Sequence, residues 1–179
     1  MTKIIFFDGD GTLWYPTMTK RTAEPHKIYF QDSYRDGDFA KHFELTPKTK
    51  ESLVKLKEGG VMLVLLSTHN TDDKISADDD KVRKAKALGI DHLFDRIESS
   101  PNRREGKGEK IEQILRELSI DKNHALMVGD LYNWDYKPAV DVGVKALLLH
   151  SDYQDEYALA HGVSAGDFIN DLSDLLERV

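Results

Sequence analysis

Short apolar runs that stop abruptly at polar turn formers recur along this chain. Ile4-Ile5-Phe6-Phe7 halts at Asp8-Gly9-Asp10-Gly11, residues 61–66 halt at Ser67-Thr68-His69-Asn70, and Ala125-Leu126-Met127-Val128 halts at Gly129-Asp130. Runs of this length, rich in β-branched and aromatic residues and closed by turn formers, predict buried strands that lead into loops. Residues 144–149 predict a further strand, and 93–97 a weaker one because Asp95 and Arg96 interrupt it. Helical patterns fall between. Thr46-Pro47 stands where a cap and a first-turn proline belong, Leu53 and Leu56 follow on one face, and Gly59-Gly60 is a stop signal. Ile111, Ile114, Leu115 and Leu118 follow the i, i+3, i+4, i+7 spacing of an amphipathic helix. A third helix closes at Ala87-Leu88-Gly89, and Phe168, Ile169, Leu172, Leu175 and Leu176 mark a closing one.

Fully apolar strands alternating with such helices predict an α/β fold, a doubly wound parallel sheet with helices on both faces, in a single domain over 1–179. In sheets of this kind ligands bind beyond the carboxyl ends of the strands. Asp8, Ser67 and Asp130 all fall there. Residues 14–45 fit neither rhythm. With Pro16, Pro25, Gly37 and scattered aromatics they predict a long ordered loop beside the site, too short for a large cap domain.

Composition narrows the function. Of 179 residues, 40% are hydrophobic and 32% charged, which is the balance of a folded globular protein. With a net charge of −7 and no basic stripe, the chain is not built to grip a phosphate backbone, so no nucleic-acid partner is expected. It has no cysteine, so disulfides, thiolate metal sites and cysteine nucleophiles are excluded, and any metal must take oxygen or imidazole ligands. Neither a signal-peptide layout nor a bilayer-length apolar run is present, so the expectation is a cytoplasmic protein with no membrane partner. The oligomeric state is not legible.

Two carboxylates two residues apart, on a turn directly after a buried strand, are costly to place together unless a cation or a shared proton relieves their repulsion. Asp8 and Asp10 are such a pair. Phe7-Asp8-Gly9-Asp10-Gly11-Thr12-Leu13 resembles the first motif of the haloacid dehalogenase (HAD) superfamily. Ser67 resembles its second motif, Lys107 in Gly106-Lys107-Gly108-Glu109 its third, and Gly129-Asp130 with Asp135 its fourth. Pro138-Ala139 and Gly143 resemble the continuation. The likeness runs in order from Lys3 to about Leu149, and this order makes it specific, since an isolated Asp-x-Asp turn is common.

The resemblance implies a HAD-like fold and a magnesium-dependent phosphomonoesterase. Asp8 would be the nucleophile and Asp10 the general acid and then base. Ser67, Thr68 and Lys107 would bind the transferring phosphoryl group. Asp8, Asp130 and the backbone carbonyl of Asp10 would hold Mg2+, with Asp135 supporting the metal site. Lys110 is the alternative to Lys107. An acid at position 10 favours phosphate esters over organohalides, and the Thr12-Leu13-Trp14 ending resembles the small capless magnesium-dependent phosphatases. The substrate would be a phosphorylated metabolite, a sugar phosphate or a phosphoprotein. The competing reading is a phosphate-ester-binding or scaffold protein that keeps the fold without turnover.

Other residues have two readings each. His69 fits a catalytic role or a packing and contact role at the site mouth. Tyr132 and Trp134 fit the pocket wall or the core. Arg103-Arg104 fit attraction of an anionic substrate or a solvated loop, and Asp78-Asp79-Asp80 a helix N-terminus with a solvated face or a metal site.

Overall fold

The computed structural model describes residues 1–20, 22–23, 42–68 and 77–179, without the side chains of 77–80. Its strands are β1 (Ile4–Phe7), β2 (Trp14–Pro16), β3 (Phe43–Leu45), β4 (Met62–Thr68), β5 (Arg96–Ser100), β6 (Ala125–Gly129), β7 (Lys145–Leu149) and β8 (Phe168–Ile169). The helices are α1 (Thr49–Glu58), α2 (Ala77–Ala87), α3 (Gly106–Leu118), α4 (Lys137–Asp141) and α5 (Asp155–Ala160). Six strands make one sheet in the order β5-β4-β1-β6-β7-β8, with every pairing parallel.

Alternation along the strands sends side chains to two cores. Ile5, Phe7, Leu63, Leu65 and Val128 pack on one face with Leu53 and Leu56 of α1 and Leu172 and Leu175. Ile4, Phe6, Val64, Leu66 and Met127 pack on the other with Ile111, Ile114 and Leu115 of α3. Both faces are covered, which explains why β1, β4 and β6 read as unbroken apolar runs. From β1 the chain builds outward through β4 and β5, then returns to the opposite side of β1 to add β6, β7 and β8. The order reverses between β1 and β6, so the crevice of this sheet opens beyond their carboxyl ends.

Three local expectations need correction. Phe168 and Ile169 are not helical but form β8, paired with Leu148 and Leu149, and only Leu172–Glu177 coils, as a 3₁₀ turn. Two adjacent apolar residues satisfy either period, and the open edge of β7 decides for strand. Residues 93–97 do not form one strand, because Asp91–Leu93 is a 3₁₀ turn and β5 starts at Arg96. Thr46 does not cap α1. Lys48 holds that position in a left-handed conformation, while the Thr46 hydroxyl bonds the Thr12 carbonyl at 2.6 Å.

The 14–45 segment begins and ends as structure. β2 and β3 pair antiparallel, Trp14 opposite Leu45 and Pro16 opposite Phe43. Its middle, with Pro25 and Gly37, lies outside the described residues, as does His69. The described residues contain no cap domain.

Candidate active site at the β1/β6 crevice

Asp8 is the first residue past β1, and its amide donates to the Val128 carbonyl at 2.9 Å, so the ladder with β6 carries one residue beyond the strand. Asp130 is the first residue past β6. One turn of π-helix, Tyr132–Tyr136, then folds Asp135 back, and its Oδ2 accepts from the amides of Asp130 at 3.1 Å and Leu131 at 2.9 Å. Gly129 permits this, since a Cβ there would lie 2.2 Å from the Cβ of Asp135. Gly11 turns at φ +91, and a Cβ on it would lie 2.2 Å from Oδ2 of Asp130. The glycines of both motifs are therefore the room that the carboxylates occupy.

Lys107, in the first turn of α3, is buried at 2% exposure and bonds both Asp8 Oδ1 and Asp135 Oδ1. Lys110, one turn on, pairs instead with Glu98 of β5. The Asp8, Asp130 and Asp135 carboxylates offer oxygens within 4.8 Å of one another, and all three residues are buried. Thr12 donates to Asp130 Oδ1 at 3.3 Å, and the Tyr153 hydroxyl donates to its Oδ2.

Burial lifts the Asp8 carboxyl to about 6, against the pull of Lys107 and with the push of Asp135. Burial, with the charges of Asp135 and Asp8, raises Asp130 well above the usual carboxylate range. Burial alone would lower Lys107, but Asp135 and Asp8 reverse that and hold its ammonium above its ordinary value. Three carboxylates against one ammonium leave an excess of two negative charges in a buried cluster. An all-oxygen donor set with that deficit fits a hard divalent cation such as Mg2+.

The Asp10 side chain points elsewhere. Its Oδ1 accepts from Trp14 Nε1 at 2.8 Å and its Oδ2 from Lys84 Nζ, on α2, at 3.3 Å. It is therefore outside the three-carboxylate cluster, and its expected ligand was the backbone carbonyl. Ser67 is buried at the end of β4 in register with Ser99, and Thr68 shares a 3.1 Å hydrogen bond with Ser100.

Tyr132 stacks on Tyr136 and meets Tyr157 and His161 edge-on or tilted, while Trp134 is half-buried. Arg103 is exposed and paired with Glu109, and Arg104 is exposed. Asp78, Asp79 and Asp80 lie in the first turn of α2. Lys84, Trp14 and Tyr153 enter the site unforeseen. For Lys84 a signal existed: Lys81, Lys84, Ala85 and Leu88 follow the spacing of a core-facing helical stripe, and both lysines are buried.

The chain resembles known proteins in both sequence and fold. Glyceraldehyde 3-phosphate phosphatase of Methanothermobacter thermautotrophicus is 28% identical over 141 residues, which cover 73% of this chain, and the chain spans 57% of that relative's length. Among solved structures, an uncharacterized protein from Listeria monocytogenes serotype 4b is similar over 99% of both chains, at TM-score 0.66 and 26% identity. A haloacid dehalogenase-like family hydrolase from Streptococcus pneumoniae shares the fold at TM-score 0.69 and 18% identity, over 99% of this chain and 98% of that one. The family model for haloacid dehalogenase-like hydrolases matches residues 2–149, and with that match the chain belongs to this family.

Proposed function

We propose that the chain is a magnesium-dependent phosphomonoesterase that forms a covalent phosphoryl intermediate on Asp8. The observation that carries this reading is the single buried cluster of Asp8, Lys107, Asp130 and Asp135, with Asp10 two residues from the nucleophile. Asp8, Asp130 and the Asp10 carbonyl would hold Mg2+, oriented by Asp135, and the bound ion supplies the positive charge that lets a phosphate dianion approach a carboxylate.

Lys107 keeps charge balance at Asp8 and meets an equatorial phosphoryl oxygen, and the Ser67 hydroxyl and Thr68 at the end of β4 bind the others. A carboxylate oxygen of Asp8 attacks phosphorus as the ester P–O bond breaks, and Asp10 gives its proton to the departing alkoxide. A water oxygen then attacks the same phosphorus and passes a proton to Asp10. The P–O bond to Asp8 breaks, releasing phosphate and restoring both acids. Positioning and charge carry the reaction, as in phosphoryl transfer generally.

Small phosphorylated metabolites and sugar phosphates are the first substrates to test, with three-carbon phosphates at the head because of the relative named above. Phosphopeptides come second. The expected result is Mg2+-dependent release from p-nitrophenyl phosphate that stops in EDTA and in Asp8→Asn. Pure protein that binds Mg2+ but releases nothing from the panel, or an Asp8→Asn protein with full turnover, would overturn the reading.

A further inference from the structure

Thr46 spends a buried hydroxyl on a loop rather than on the end of the helix it precedes. It is 3% exposed, and α1 begins without a side-chain cap although this threonine stands beside its first turn. Lys48 takes the cap position at φ 61, a left-handed conformation that costs a lysine energy. The Thr46 hydroxyl meanwhile donates to the Thr12 carbonyl at 2.6 Å. The hydroxyl of Thr49, also buried, lies 2.6 Å from it and, with the Thr46 proton committed to Thr12, is the donor of that second bond.

The loop that Thr46 holds is the one that reaches Asp130. A Cβ on Gly11 would lie 2.2 Å from Asp130 Oδ2, and Thr12 Oγ1 donates to Oδ1 at 3.3 Å. Bonds within the loop, from the amides of Thr12, Leu13 and Trp14 to the Gly9 carbonyl and from the Gly11 amide to the Trp14 carbonyl, fix its shape. They do not fix its place against β6. The ends are anchored where Asp8 bonds Val128 and Trp14 pairs with Leu45. Thr46 grips the stretch between, its amide on the Leu13 carbonyl at 3.0 Å and its hydroxyl on the Thr12 carbonyl. At this depth water does not compete for either bond.

We infer that Thr46 is a positioning residue of the metal site, which clamps the Thr12 carbonyl and so holds the backbone of 10–12 against Asp130. This rests on the phosphatase reading, in which Asp130 and the Asp10 carbonyl take Mg2+. Loss of the hydroxyl keeps the amide bond to Leu13 and every proposed ligand, and it lets the loop shift relative to Asp130. Mg2+ demands near-ideal octahedral geometry, so displacement of one ligand against another weakens binding. Thr49 supplies the contrast, because its hydroxyl bonds Thr46 and not the loop.

The test is the dissociation constant for Mg2+ of the full chain, measured by titration calorimetry at pH 7.5 for wild type, Thr46→Val, Thr46→Ser and Thr49→Val, with thermal midpoints in EDTA recorded beside it. Thr46→Val keeps the side-chain shape and removes the hydroxyl. It should bind Mg2+ about threefold more weakly, less than the roughly tenfold cost of removing a direct partner of a ligand. Thr46→Ser should return close to wild type. Thr49→Val should lower the thermal midpoint as Thr46→Val does and keep wild-type affinity. If Thr46→Val does not fold, Thr46→Ala is judged by the same criteria, read as the Mg2+-induced rise in thermal midpoint. Affinity that falls equally in Thr49→Val, or that serine does not restore, overturns the proposal. A wild type that binds Mg2+ with unchanged affinity in the Thr46 variant fails this inference alone, whereas a wild type that binds no Mg2+ fails the magnesium-dependent phosphatase reading itself.

Discussion

Lys107 donates to Asp8 across 99 residues of sequence and ties the start of α3 to the end of β1. The same ammonium bonds Asp135, so one cation is shared by two of the three buried carboxylates. Removing either side of this arrangement has different consequences for stability and for chemistry.

Lys107→Met strips the cluster of its internal cation and leaves three carboxylates buried together. Breaking a buried pair from one side costs roughly 3–5 kcal/mol. In EDTA the thermal midpoint should fall sharply, and Mg2+ should restore part of the loss while phosphatase activity stays low. Thermal unfolding with and without Mg2+ checks this, and equal midpoints in EDTA for variant and wild type would contradict it.

The binding of Mg2+ should weaken as pH falls through about 6, where the Asp8 carboxyl takes up its proton. Titration calorimetry at pH 5 and pH 7.5 measures the difference. The metal-free protein should behave in the opposite sense. A carboxyl raised from 3.8 to about 6 favours the folded state most below pH 3.8, and that contribution is lost as pH rises through about 6. Mg2+ should therefore raise the thermal midpoint more at pH 7.5 than at pH 5.

Gly129→Ala should be far more damaging than an ordinary glycine substitution within a strand. The new methyl would sit 2.3 Å from Cγ of Asp135. Asp135 must move, which releases its hold on the Asp130 and Leu131 amides and on Lys107. A loss of about 3 kcal/mol or more is expected from the overpacking and the broken buried bonds together. Denaturant unfolding gives the value.

Tyr153→Phe removes only the hydroxyl that donates to Asp130 Oδ2. Groups that orient a metal-binding carboxylate are typically worth tenfold or more in affinity. The variant should fold normally and bind Mg2+ about tenfold more weakly by calorimetry. Unchanged affinity would mean that Thr12 alone orients Asp130.

Much of this arrangement was legible before any coordinates. The apolar runs of β1 and β6 end within a residue of their strands, and that of β4 ends at Leu66, two residues before the strand does, because side chains between two covered faces must be apolar while the last rungs at the sheet's edge can be polar. For the same reason Asp8, Ser67 and Asp130 could be placed at one end of the sheet. Lys107 was legible only through the family resemblance, as the lysine that opens the amphipathic helix ahead of Gly129-Asp130, with Lys110 as the alternative.

Strand or helix at Phe168-Ile169 was not legible, because two apolar neighbours satisfy either period and only the edge of β7 selects between them. The destination of Asp10 was not legible either. Among its partners are an indole four residues on and an ammonium that the path of α2 delivers. A periodic pattern specifies which side of an element is buried, so the chain alone determined the sheet, its covered faces and the edge at which the acids collect. Which side chains meet there depends on how the helices return across the sheet, and that pairing of Lys107 with Asp8 and Lys84 with Asp10 belongs to the tertiary structure.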